Sequence, residues 1–170
     1  MPTRDPRATQ LRRRLGQRGA AALLRTASLL ERALARDVAP ARVSFAQYNV
    51  LRILRAAGGD GLSTMTLRAR MIEPAAGITR LLDKLEAAGY VRRERAGAGG
   101  DRRRVRCRIT RAGTRLLAQC TPAVYDTADA AFETLSLAEQ RRLVALLDAV
   151  RLALAEREEA SDAETRSLGL

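Results

Sequence analysis

The sequence has no histidine, no tryptophan and two cysteines, and of its 31 Lys and Arg residues all but Lys84 are arginine. Without histidine, the commonest general base and metal ligand is missing. Cys107 and Cys120 are too few for a cysteine-rich zinc site and form no CxxC pair. No nucleophile–base constellation replaces them, so binding is expected rather than enzymatic chemistry, with no cofactor. Aromatic residues make up 3% of the chain. The core must then be built from Leu, Ala, Val and Ile, which suits interlocking helices better than a β-sandwich. No apolar run reaches membrane-spanning length, and the opening MPTRDPRATQLRRR lacks the apolar middle of a signal peptide. A cytoplasmic location is expected.

What the sequence has in excess is positive charge. The formal net charge is +12 over 170 residues, which calls for a polyanionic partner, nucleic acid before an acidic membrane surface. A codon bias toward Arg and Ala would inflate the charge without functional meaning, but it would not place it. Between Asp60 and Arg111 there are thirteen basic against six acidic residues, whereas Glu156 to Leu170 holds five acids and two bases.

Apolar spacing gives the organisation. Residues 1–9 carry two prolines and no periodicity and are expected to be disordered. Leu11, Leu15, Ala22, Leu23, Thr26, Leu29, Leu30 and Leu34 then recur at three- and four-residue steps, predicting a helix from Gln10 to about Asp37. Such a stripe suits an ordinary core helix or, the preferred reading, one packed on a second subunit. Pro40 breaks it. Ser44 stands where an N-cap belongs, ahead of FAQYNVLRILRAA, and GGDG at 58–61 stops that helix. Ser63 caps a short helix, Thr64 to Arg70, with Leu67 and Met71 inward.

A second short helix begins near Pro74, with Ile78, Leu81, Leu82 and Leu85 on one side and Ala76, Arg80, Asp83 and Ala87 opposite. Gly89 ends it. Tyr90–Arg95 and Arg104–Ile109 alternate like the strands of a hairpin around a glycine- and arginine-rich tip. Thr110 caps a further helix from Arg111, which Pro122 should kink or restart. Ser136 with Glu139 makes a capping box for a last helix, Leu137 to about Glu158, with Leu143, Leu146, Leu147, Val150 and Leu154 at core spacing. The expected fold is mainly α with a small β-hairpin wing: a winged helix-turn-helix over 44–110, an N-terminal dimerisation helix over 10–43, C-terminal dimerisation helices over 111–158, and a frayed acidic tail over 159–170.

With that order, QYNVLRIL (47–54), ITRLLDKLEAAGYVRRER (78–95), DRR (101–103) and ITRAG (109–113) together resemble the MarR family of transcriptional regulators, over roughly residues 10 to 155. The resemblance implies a homodimer with intertwined terminal helices, each winged helix-turn-helix meeting half of a pseudo-palindromic operator, more often as repressor than activator. It implies a recognition helix of about Ala75 to Ala88, with Ala75, Ala76, Thr79, Arg80, Asp83 and Lys84 toward DNA. Asp101, Arg102, Arg103 and Arg104 would form the wing, an aspartate bracing an arginine that enters the minor groove. A narrow A·T-rich minor groove does favour a guanidinium. Ser63, Arg68, Arg70, Arg93 and Arg95, with Arg92, fall to phosphate contacts, which position without reading sequence.

The start of the recognition helix departs from the family pattern. Where many members have Ser or Thr, this chain has Glu73-Pro74-Ala75-Ala76-Gly77, which offers methyl contacts to thymine and little hydrogen bonding to base edges. Many members also release DNA on binding a small aromatic or phenolic effector. Phe45, Tyr48 and Arg14 or Arg18 are candidates for such a cavity, but serve equally as core and surface residues, so no ligand site is assigned. Cys107 reads as a buried small hydrophobe rather than an oxidant sensor. The competing function is a basic adaptor binding RNA or a protein assembly through charge alone.

Overall fold

A computed structural model of the chain describes residues 5–71, 77–95 and 105–167. The chain divides into two compact units, Met1–Ala128 and Asp129–Leu170.

The first unit opens with α1 (Pro6–Val38). Its start lies at Pro6 rather than Gln10, because a cap and not an apolar repeat begins it. The Asp5 carboxylate accepts the Arg7 N–H at 2.9 Å, and Pro6 occupies the first turn, where a missing N–H costs nothing. Pro6 to Thr9 are therefore helical, not irregular. Leu34 and Val38, near the end of α1, are buried in the core, with Leu30 packed at its edge. Farther up, Leu11, Leu15, Leu24 and Leu29 are exposed.

A short 3-10 turn over Ala39–Ala41 follows, and Arg42 takes a left-handed conformation at φ 56° before α2 (Phe45–Ala56). Ser44 is more than a simple cap here. Its hydroxyl accepts the Gln47 N–H at 3.2 Å while the Gln47 side chain accepts the Ser44 N–H at 2.8 Å, a complete capping box. Tyr48, Val50, Leu51, Ile53 and Leu54 are all buried, which makes α2 the central helix of the unit.

The helix-turn-helix is α3 (Thr64–Arg70) and α4 (Ile78–Ala87). The α3 bounds agree with those expected, and Leu67 and Met71 are buried as read from the spacing. As described, α4 starts later than Ala75, with Gly77 at its N-cap position. Its end is a Schellman motif: Gly89 N–H bonds the Glu86 carbonyl and Tyr90 N–H the Leu85 carbonyl, both at 2.8 Å, with Gly89 at φ 73°.

The hairpin strands are β2 (Val91–Arg95) and β3 (Val105–Ile109), antiparallel with Arg93 opposite Cys107. A third strand, β1 (Leu62–Ser63), pairs with the other edge of β3, giving the order β1-β3-β2. Gly61 makes this possible: it sits at φ 63°, and a β-carbon there would lie 2.6 Å from the Cys107 carbonyl oxygen.

Next comes α5 (Arg111–Phe132), which runs without a break through Pro122 instead of restarting there. Leu117, Cys120 and Val124 are buried on both sides of the proline. Packing thus holds the helix across the one backbone hydrogen bond that proline removes.

The second unit is dominated by α6 (Leu137–Ser167), whose helix continues past Glu158. That extension, EASDAETRS, has neither proline nor glycine, and glycine first returns at Gly169. The Ser136–Glu139 capping box forms as expected, with Ser136 N–H to the Glu139 carboxylate at 2.8 Å and Glu139 N–H to the Ser136 hydroxyl at 3.3 Å. The core spacing of α6 does not produce burial within the chain: Leu143 and Leu147 are half-buried, and Leu146, Val150 and Leu154 are exposed. Among the described residues, no helix is long and apolar enough to cross a membrane.

Candidate nucleic-acid interface

Two faces of α4 define the candidate interface. Ile78, Leu82 and Leu85 are buried and Leu81 packs against the same cluster, beside Val50, Leu51 and Leu54 of α2 and Leu67 of α3. Fully burying each such side chain stabilises by about 1.5–3 kcal/mol, so the helix is fixed in rotation about its axis. The opposite face then has no choice of direction. Thr79, Arg80, Asp83 and Lys84 all lie on it and all are exposed.

The candidate phosphate contacts fall into different settings. Arg68 and Arg70 are exposed on the last turn of α3. The Ser63 hydroxyl serves α3 itself: it accepts the Thr66 N–H at 3.1 Å and lies 2.8 Å from the Thr66 hydroxyl. Arg93 turns inward. It shares the strand face of buried Val91, and its guanidinium reaches Asp83 at 2.6 Å, Glu86 at 3.2 Å and the Thr79 carbonyl at 3.3 Å. Its backbone N–H also bonds the Glu86 carboxylate, at 3.0 Å. Burial works against the charged guanidinium, but the hydrogen bond it donates to Asp83 and the charges of Asp83 and Glu86 outweigh it and raise the pKa of Arg93.

The outer hairpin face has a different arrangement. Arg92 and Arg108 stand directly opposite each other in the register, a repulsive pair. Glu94 lies 3.0 Å from each guanidinium and relieves it. Arg106, on the same strand, donates to the Asp60 carbonyl at 3.0 Å and so ties β3 to the loop before β1. The backbone of Arg95 closes β2 opposite Val105. Ala75 and Ala76 of the expected recognition helix, and Asp101, Arg102, Arg103 and Arg104 of the expected wing, lie outside the described residues.

Behind this surface, Thr110 joins three elements. Its hydroxyl donates to the Gly89 carbonyl at 2.7 Å and accepts the Gly113 N–H at 3.0 Å, while its own N–H bonds the Tyr90 carbonyl at 3.0 Å. Of the residues weighed for an effector cavity, Tyr48 is a core residue whose hydroxyl lies 3.4 Å from that of Thr121, stacked on Phe45 at 5.9 Å between ring centroids. Arg14 and Arg18 are exposed on α1. Cys107 and Cys120 are free thiols and both are buried.

Sequence reasoning missed the inward role of Arg93, although the signal was present. Strand alternation puts Arg93 on the side of Val91 and away from Arg92.

Comparison with known proteins supplies the family. Residues 43–104 match the model of the MarR family. No curated protein matches the chain in sequence. Among solved structures, AbsC, a MarR family transcriptional regulator from Streptomyces coelicolor, is 21% identical and aligns over 82% of this chain and 93% of its own, with a TM-score of 0.73. A MarR family transcriptional regulator from Silicibacter pomeroyi is 26% identical over 78% of this chain and 86% of its own, at a TM-score of 0.66. A mutant MarR from E. coli complexed with operator DNA is 25% identical over 77% and 91%, at 0.68. Residues 43–104 thus carry the MarR family match, and the chain has the winged helix-turn-helix fold of the MarR family transcriptional regulators to which it is similar.

Proposed function

We propose that this chain is a cytoplasmic homodimer that binds double-stranded DNA sequence-specifically and represses transcription from a pseudo-palindromic operator. One observation carries the reading: the exposed face of α4, with Thr79, Arg80 and Lys84, is presented by a helix whose other face is locked in the core. A helix so mounted suits insertion in the major groove, where arginine reads guanine and threonine reads several bases. The operator complex of the E. coli relative supports the same partner class.

The assignments for Ala75, Ala76, Asp101, Arg102, Arg103 and Arg104 stand as sequence-based parts of this proposal. So do phosphate contacts by Arg68, Arg70 and Arg95.

Dimerisation is argued from exposed apolar surface. Leu11, Leu15, Leu24 and Leu29 line α1, and Val144, Leu146, Val150 and Leu154 line α6, all in contact with water in the single chain. Such surface on a water-soluble protein calls for a partner, and a second copy also supplies the second half-site reader. A small aromatic or phenolic effector completes the proposal, and it releases DNA if it prefers the form that cannot span both half-sites.

The test is titration of the DNA upstream of the protein's own gene against unrelated duplex at physiological salt. A preference of roughly a thousandfold, with a footprint over two half-sites about one helical turn apart, is the expected result. Equal affinity for both duplexes, or a monomer in sedimentation, would sink it.

A further inference from the structure

We propose that Arg93 is a positioning residue for the DNA-contacting face, holding α4 to the wing strand β2, and makes no phosphate contact of its own. The inference rests on the DNA-binding reading above and assigns work within it.

The three α4 residues that Arg93 engages, Thr79, Asp83 and Glu86, form one stripe along nearly the whole helix at steps of four and three. A single planar guanidinium therefore gathers groups from three successive turns of α4, which the point charge of a lysine does not reproduce. Its hold on the Thr79 carbonyl fixes the first turn, the one that carries Thr79 and Arg80. Asp83 is drawn into the same arrangement. On the exposed face it would be a negative charge facing DNA phosphates, but at 2.6 Å from Arg93 it is neutralised and acts as an anchor. Three guanidinium contacts point at α4, and the Arg93 side chain is 25% exposed against 59% for Arg92 on the outer face. Arg93 is directed into the protein.

The experiment measures affinity of the full chain for operator and for unrelated duplex across a salt series, in wild type, Arg93→Ala, Arg93→Lys and Asp83→Ala. Expected is a fall of about tenfold in the operator-to-unrelated ratio for Arg93→Ala, with no change in salt slope on unrelated DNA. Arg93→Lys is expected not to restore it. Asp83→Ala decides by sign. Removing a negative charge beside DNA tightens binding on charge grounds, whereas loss of the anchor weakens operator binding. A drop of about one in salt slope for Arg93→Ala, equal on both duplexes, overturns the proposal in favour of a phosphate contact. Tighter operator binding by Asp83→Ala overturns it too. Should Arg93→Ala fail to fold, Asp83→Ala leaves Arg93 in place and still decides. A wild type that binds both duplexes equally refutes the specificity reading instead, and the salt slope alone then tests Arg93.

Discussion

The carbonyl oxygen of Tyr90 rests against the α-carbon of Gly113, so close that no β-carbon fits between them. The first turn of α5 thereby lies directly on the segment that leaves α4, and Ile109 closes the same gap from the side. Gly113→Ala must push backbone against backbone and should cost about 1–3 kcal/mol. At Gly16 in α1 nothing lies within 4 Å of an added β-carbon. There the same substitution should stabilise by about 0.5–1 kcal/mol, through helix propensity. Urea unfolding of the two variants should give shifts of opposite sign.

Arg80 and Arg68 should fail differently when replaced by Ala. The first is on the exposed face of α4 and its loss should relax base preference at one position of each half-site, by about 1–3 kcal/mol. The second lies on the last turn of α3 and its loss should weaken all duplexes alike, lowering the salt slope by about one. Binding to a panel of single-base operator variants separates the two. An identical pattern for both would remove the division between reading and positioning.

Hydrogen bonds from the Ser136 hydroxyl and N–H hold the Glu139 carboxyl below its ordinary pKa. A depressed carboxylate stabilises the fold above its unfolded pKa, and the effect is lost as pH falls through the folded one. The start of α6 should therefore loosen on acidification through the carboxylate range. Glu139→Gln should remove that part of the pH dependence. An NMR titration placing the Glu139 carboxyl at or above the ordinary glutamate value would contradict this.

Burial pushes the Cys120 thiol up from its ordinary pKa, and Cys107 is fully enclosed between the strands and α2. Both should be slow toward a thiol-specific reagent at neutral pH and react together when the chain unfolds. Rapid labelling of one cysteine in the folded protein would point to a sensor the geometry does not suggest.

Elements bounded by local chemistry were legible in the sequence. Serine and glycine fix α3 and the end of α4 through caps that involve neighbours only, and those positions agree with the reading. Features decided by distant packing were not. The strand β1 has too few residues to alternate and exists because β3 offers it an edge. Pro122 signals a break that the buried flanks of α5 override. The apolar repeat fades after Leu154 and suggests an end near Glu158, whereas α6 runs on to Ser167 through a stretch with no proline or glycine to stop it. For the interface, the periodicity of α4 identified which residues are exposed. It gave no sign that Asp83 faces Arg93, since that partner comes from the strand β2.

Thr110 gives the molecule a joint without slack. Its hydroxyl touches the last carbonyl of the turn after α4 on one side and the first free amide region of α5 on the other. A connection of loose loop would absorb a tilt of α5 before it reached the reading helix. With the two hydrogen bonds of Thr110 in place of a loose loop, a tilt at the base of α5 is expected to reach α4, and in the dimer proposed above the angle of α5 would then set the spacing of the two α4 helices.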